Sequence, residues 1–146
     1  MYTEQLSQAL SIAGTEIDPV SQAAGTVTTG GVDISKFHRA MFVVMVGSVG
    51  AAGTVDAKLQ TSPVSNFASG VADVTGSNIT QVTAGNKVVT LEMRADQVPA
   101  GARYARLSVT VGTNAVLIAA LAIGSEAALK PASANDVAAV AQRVVV

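Results

Sequence analysis

The chain has 146 residues, enough for one domain with a sizeable core. Its formal net charge is −1, 49% of its residues are hydrophobic and only 13% are charged, about half the usual share of charged residues. This balance argues against electrostatic binding to nucleic acid or to an anionic membrane, and the absence of cysteine excludes disulfides, thiolate metal sites and a cysteine nucleophile.

A chain with so few charges often hides part of its surface in an oligomer or a larger assembly. Its longest apolar run, residues 115–123, is too short to cross a bilayer, which takes about 20 residues. The first ten residues lack the positive region and apolar stretch of a secretory signal, so we expect neither such a signal nor a membrane partner.

Residues 1–24 are interpreted as an N-terminal arm. Within residues 1–13 the apolar positions fit a helical stripe and one face of a strand about equally well, so both alternatives stay open. Asp18-Pro19 is a turn signal further along the arm.

Alternating or unbroken apolar patterns predict up to eight strands between residues 25 and 124. The predicted segments are 26–34, 40–46, 55–62, 71–74, 78–83, 87–95, 103–111 and 115–123. The Gly30-Gly31 pair predicts a bulge or bend in the first of them.

The strongest signal is residues 39–62, which we interpret as one long β-hairpin closed by the glycine-rich connection 47–53. Its first half is apolar throughout, which predicts a strand buried on both faces, and its second half alternates. Residues 103–123 form a similar pair, so the two predicted hairpins should stack. The predicted fold is all-β: an antiparallel β-sandwich or jelly roll of seven to eight strands.

Residues 125–146 are interpreted as a C-terminal arm, either a short helix or an extended tail. Val137, Val140, Ala141 and Val144 recur at helical spacing, and Ser133 or Asn135 could cap such a helix. An apolar stripe beyond a complete β-domain predicts docking on the domain itself or on a neighbour.

The residues offer no catalytic or metal-binding constellation. His38 is the only histidine, no serine lies in a Gly-x-Ser-x-Gly turn, and the ten carboxylates are scattered. The 47–53 loop lacks the Lys-Ser/Thr of a phosphate loop. We therefore expect no enzyme activity, no catalytic residues, no cofactor and no metal.

Interaction surfaces are the remaining candidates. The R-Y-A-R sequence of residues 103–106 is either an exposed basic-aromatic patch or a tyrosine packed between arginine stems. The apolar positions of both arms are the other candidates. The predicted interface residues are Tyr2, Leu6, Leu10, Ile12, Tyr104, Arg106, Val137, Val140 and Val144.

Four segments carry a resemblance to a known family: G-T-V-T-T-G-G-V-D-I-S-K at 25–36, the apolar strand and glycine connection at 40–55, D-V-T-G at 73–76, and R-Y-A-R-L-S-V-T at 103–110. Together they resemble the small decoration, cement or minor head proteins of tailed bacteriophages. The resemblance implies a structural virion protein on the capsid surface, made in the host cytoplasm. It implies the major capsid protein and copies of the chain as partners, often in a trimer, and no catalytic residues.

Two other functions stay open. One is a tail, fibre or adhesin domain, which would have similar strands and arms. The other is a carbohydrate-binding sandwich, which requires an aromatic platform from among the two tyrosines and three phenylalanines.

Overall fold

A computed structural model describes residues 4–145. Nearly all of its regular structure is antiparallel β-strand, in two sheets packed face to face. The strands are β1 (Leu10–Gln22), β2 (Gly25–Thr28), β3 (Val32–Asp33), β4 (Phe37–Val49), β5 (Thr54–Ser62), β6 (Ala72–Asp73), β7 (Lys87–Arg94), β8 (Tyr104–Gly112) and β9 (Val116–Ala127).

Sheet A has the strand order β1-β9-β4-β7, and sheet B has the order β2-β8-β5-β6, with β3 also paired to β8. Since β2 and β3 pair with successive parts of the same neighbour, they fill the place of one strand broken near Gly30. The order in the two sheets is then that of an eight-stranded jelly roll. The all-β prediction is confirmed, and the jelly roll is the form that the sandwich takes.

The topology arises from one long antiparallel ribbon. Leu10 pairs with Ser125, Gly25 with Val111, Arg39 with Arg94 and Gln60 with Asp73, so each pair is nested inside the one before it. Rolling up this ribbon places β4 beside β9 and β5 beside β8, which completes the two sheets.

The hairpin prediction for residues 39–62 is wrong. Strand β4 lies in sheet A and β5 in sheet B, so the glycine connection crosses from one sheet to the other. The counterpart at 103–123 also crosses, because β8 belongs to sheet B and β9 to sheet A. The two strand pairs do stack, but each strand bonds to a strand of the other pair: β4 to β9 and β5 to β8.

The core lies between the sheets and consists of the inward-facing residues of both. Phe42, Val44, Leu59, Leu107 and Val109 are among its completely buried members. The alternation of β5 and β8 predicted this burial, since period-two patterns place every second side chain on one face.

Residues 78–83 do not form the predicted strand. They run along the outer edge of β5 with only an isolated bridge between Val55 and Val82. The Ile79 amide donates to the Ala57 carbonyl at 3.0 Å, and the Val74 amide donates to the Leu59 carbonyl at 2.9 Å. The loop thereby covers the backbone groups of an edge that would otherwise be open.

The two termini differ in how they match the alternatives predicted for them. Leu6–Ala9 is a single helical turn, and Leu10 begins β1, so the predicted N-terminal arm contains an edge strand of sheet A. At the other end, Ala132–Asn135 is a short 3-10 helix, and the residues from 136 to 145 have no regular structure. The helical stripe predicted from Val137 to Val144 is therefore wrong, and the extended-tail alternative describes this segment.

Gly124 provides a test of the packing of sheet A. A Cβ placed on it would lie 2.6 Å from the ring of Phe37, which is itself buried. The ring thus occupies the space that a side chain at position 124 would need. We expect Gly124→Ala to lower the free energy of unfolding by about 1–3 kcal/mol, because the ring must move out of its site.

Urea denaturation checks this expectation. Ser125→Ala, at the next position of β9, is the matched control and should lower the free energy of unfolding by less than Gly124→Ala. In a Phe37→Ala background the cost of Gly124→Ala should shrink, because the clash partner is gone. An equal cost in both backgrounds would show that the ring is not the cause.

Candidate interaction surfaces

The outer face of sheet A is apolar over most of its area. Three rows cross its middle strands: Val88, Met45 and Ala119; Thr90, Val43 and Leu121; and Glu92, Met41 and Ile123. Of these apolar residues, Met45 is 44% exposed and Val88 66%, while the strands beside them half-bury the rest. Because the inner face is also apolar, sheet A is hydrophobic on both faces. A sheet with one face in solvent usually has polar residues on that face.

The apolar area has a groove at one end. Pro19, Val20, Met45, Gly47, Leu117 and Ala119 line it around a volume of about 320 Å³. Val20 and Leu117 are 40% and 46% exposed there. Contiguous exposed apolar surface of this kind is typical of protein–protein contacts.

The opposite end of the face is charged. Arg39 Nη1 lies 3.6 Å from Glu92 Oε1, and Arg39 Nε lies 3.4 Å from Glu126 Oε1. Arg94 is paired with Asp96 at 3.2 Å at the same end of the sheet. All these side chains are at least half exposed, so the pairs add little to stability but fix charges of both signs at one end.

The outer face of sheet B is polar and is occupied by its own contacts. Lys58 donates to Asp73 at 2.6 Å, and Gln60 donates to the same carboxylate at 2.9 Å. Arg106 donates to the Gln60 Oε1 at 2.9 and 3.0 Å, and its guanidinium lies 4.3 Å from the ring centroid of Phe67. These bonds lower the pKa of Asp73, chiefly through Lys58.

Phe67 reaches this position because Gly31 leaves room for it. A Cβ on Gly31 would lie 2.7 Å from the phenylalanine ring, and Phe67 itself adopts a left-handed φ of 53°. The ring is 8% exposed beneath Arg106. The loop 63–71 is thereby pinned to the sheet by a cation–π contact.

Asp33 and Arg103 form a second clamp at the edge of sheet B. Arg103 donates to both carboxylate oxygens, at 3.0 Å from Nε and 2.7 Å from Nη2. The Ser35 amide and hydroxyl donate to the same carboxylate at 3.1 and 2.7 Å. The Arg103 guanidinium is the main reason that the pKa of Asp33 falls to about 2, although partial burial acts against it.

The C-terminal segment covers part of the free edge of β1. The Ile12 amide donates to Asp136 Oδ1 at 2.9 Å, and the Val137 amide donates to the Ile12 carbonyl at 2.9 Å. Arg143 donates to the other oxygen of Asp136. Burial opposes ionisation of Asp136, but the donors from Arg143 and Ile12 outweigh it and lower the pKa. The segment thereby satisfies edge groups as an added strand would.

The predicted interface residues fall in several separate places, and their role stays a prediction. Leu10 and Ile12 lie on β1, and the Val137 amide donates to the Ile12 carbonyl. Tyr104 and Arg106 lie on the other sheet, where Arg103 sits 5.4 Å over the tyrosine ring. Leu6 is 75% exposed, Val144 is 72% exposed, and Val140 is half-buried. Tyr2 lies outside the described residues.

The sequence reasoning missed the outer face of sheet A. The signal was present in the two apolar runs, 40–46 and 115–123, but the first was interpreted as buried on both faces and the second only as a strand paired with the one before it. Within one chain only their inner face is fully covered, since Met41, Val43, Leu121 and Ile123 are half-buried. A strand with no polar positions indicates that both faces of the sheet pack against protein, but it does not identify the element or partner that packs on the second face.

The described residues hold no group of three or more His, Cys, Asp or Glu side chains placed to bind a metal ion. His38 is exposed on β4. From residue 4 to residue 145, no helix is long and apolar enough to cross a membrane.

Comparisons with known proteins give matches among solved structures but not among protein families or curated sequences. No protein-family model and no curated protein sequence matches the chain. Among solved structures, a similar chain occurs in the structure of infectious bursal disease virus, Gx strain, with a TM-score of 0.39 and 10% sequence identity. The match covers 85% of the present chain and 32% of that chain, so the present chain spans about a third of its length.

The Asp33–Arg103 clamp predicts that the stability of the fold depends on pH. Because the pKa of Asp33 is lowered on folding, its contribution to stability is full above the ordinary carboxyl pKa near 3.8 and is lost as the pH falls toward about 2. We expect Asp33→Asn to lower the denaturation midpoint at pH 7 and to flatten the fall in stability between pH 4 and pH 2.

Urea denaturation at several pH values measures this effect. Asp96→Asn is the control, since its ion pair with Arg94 is exposed and should matter little. An unchanged acid slope in Asp33→Asn would show that other carboxyl groups govern it.

The Arg106–Phe67 contact predicts that Arg106→Lys loosens the loop 63–71. Lysine has neither the planar group that stacks on the ring nor the two donors directed at Gln60, so the loss should be about 1 kcal/mol. Limited proteolysis should cut within 63–71 faster than in the native chain, whereas the control Lys58→Arg, which keeps a cation beside Asp73, should not change the rate. Equal cutting of all three proteins would contradict the role of the stacked guanidinium.

Proposed function

We propose that this chain is a structural virion protein, which decorates or cements a tailed-phage capsid by binding the capsid lattice and neighbouring copies of itself. The observation that carries the proposal is sheet A, a four-stranded sheet that is apolar on both faces in a chain with few charges. Such a sheet needs a protein surface over its outer side.

Three further points support this proposal. Jelly rolls are common among viral capsid domains, which is an argument by fold analogy alone. The segments that resemble phage decoration proteins form the β2–β3 edge, β4 with its crossing loop, the start of the loop beyond β6, and β8. The polar groups of sheet B are tied up in contacts within the chain, which suits a scaffold more than a catalyst.

Lectins also use the jelly roll, but a sugar platform needs exposed aromatic rings. Phe37, Phe42 and Phe67 are buried, which leaves Tyr104 as the half-exposed ring of the described residues. This arrangement favours the structural role. The proposed location is the capsid surface, after synthesis in the host cytoplasm, and the proposed partner is the major capsid protein.

Deletion of the gene from the phage or prophage that carries it tests the proposal. We expect the chain to copurify with native heads and to bind deletion heads when it is added back, with repeated weak contacts giving high avidity. Cryo-electron microscopy should show the added density on the head. Native heads, already saturated, are the control and should bind little more.

Density on the tail would instead support a tail, fibre or adhesin domain. Absence of the chain from purified virions would overturn the structural virion role altogether.

A further inference from the structure

The area of the outer face of sheet A can be compared with that of known protein–protein interfaces. This face is defined by Met41, Val43, Met45, Val88, Leu121 and Ile123. Strands lie about 4.8 Å apart and rise about 3.3 Å per residue, so four strands over eight residues cover a footprint of roughly 500 Å². Side chains give such a footprint a larger accessible area, and stable interfaces bury roughly 800 Å² per partner. The face is therefore large enough for a specific contact of modest affinity.

The charges at one end of the face limit how two copies could stack. Two copies could stack face to face about a two-fold axis perpendicular to the strands. In that arrangement Arg39 and Glu92 of each copy would lie on the apolar end of the other copy. Those charges would lose water without gaining partners, which is costly. Turning one copy about an axis along the strands keeps charged end over charged end and apolar end over apolar end.

The second arrangement also matches charges and side chains strand by strand. With the axis between β9 and β4, each β4 lies over the β9 of the other copy, and each β7 lies over its β1. Arg39 then faces Glu126 of the other copy, because both lie at the charged end. Met45 faces Ala119, with which it is level in the sheet.

The most exposed apolar residue of the face lies at its edge. Val88 is level with Met45 and Ala119 and is 66% exposed in the single chain. Stacking about this axis places Val88 under the β1 strand of the second copy.

We propose that the outer face of sheet A stacks on the same face of a second copy about a two-fold axis parallel to the strands. The net charge of −1 gives the two copies little mutual repulsion. This contact is closed, so it predicts dimers in solution in place of the trimer that the phage resemblance implies. The inference deepens the proposed function by naming the partner of this face, and it rests on that function for its self-association.

Analytical ultracentrifugation of matched double variants is the first test. Met45→Gln with Val88→Thr removes apolar contacts from the face, and Leu129→Gln with Val71→Thr makes the same kinds of change at exposed residues elsewhere. We expect a native dimer, a dissociation constant raised about tenfold or more in the first variant, and no change in the second. Circular dichroism should show that both variants fold.

A second test fixes the orientation. Because the chain has no cysteine, Met45→Cys and Ala119→Cys each introduce a single thiol. Oxidation of an equal mixture should give more disulfide-linked dimer than either variant alone, since β4 of one copy lies over β9 of the other. Stronger linking in Met45→Cys alone would overturn the proposed axis.

A native monomer, or an oligomer that the face variant leaves unchanged, would also overturn the proposal. Add-back to deletion heads separates it from the proposed function. A chain that dimerises as described but never binds heads would refute the virion role alone, and a monomer that binds heads would refute the stacking alone.

Discussion

The pairing of β4 with β9 is the contact on which the rest of the molecule depends. It joins two apolar strands from distant parts of the sequence, with Val43 opposite Leu121 and Val44 opposite Ala120. Without it, β1 and β9 would remain a ribbon separate from β4 and β7. With it, sheet A becomes a continuous layer whose inner side closes the core and whose outer side remains available.

The local features of the sequence predicted much of the fold. The alternation of β5 and β8 identified their buried sides, and the paired glycines at 30 and 31 marked the break between β2 and β3. The sequence did not predict which strands pair with each other. A glycine-rich connection between two strands suits a hairpin and a crossing between sheets equally well, and the choice is made by strands more than 60 residues away, such as β9 for β4.

The surfaces were harder to predict than the strands. Tyr104 and Arg106 were predicted as interface residues because aromatic and basic side chains are common in interfaces, yet Arg106 bonds to Gln60 and stacks on Phe67 within the chain. The residues of the outer face of sheet A carry no distinctive chemistry. Their importance comes from being side by side, and that depends on long-range pairing that periodicity does not reveal. The helical spacing of Val137 and Val144 failed for a related reason, because hydrogen bonds to β1 hold the tail extended at Asp136 and Val137.

The nested pairing of the ribbon also sets the order in which the protein can be completed during synthesis. The innermost strands, β5 and β6, leave the ribosome together, but β1 must wait for β9, which is made last of the nine. Contacts of such long range close slowly. Sheet A, and with it the apolar outer face, is thus assembled only when β9 has emerged. A nascent chain therefore has no finished outer face to offer a neighbour, and association through that face is confined to chains that have finished folding.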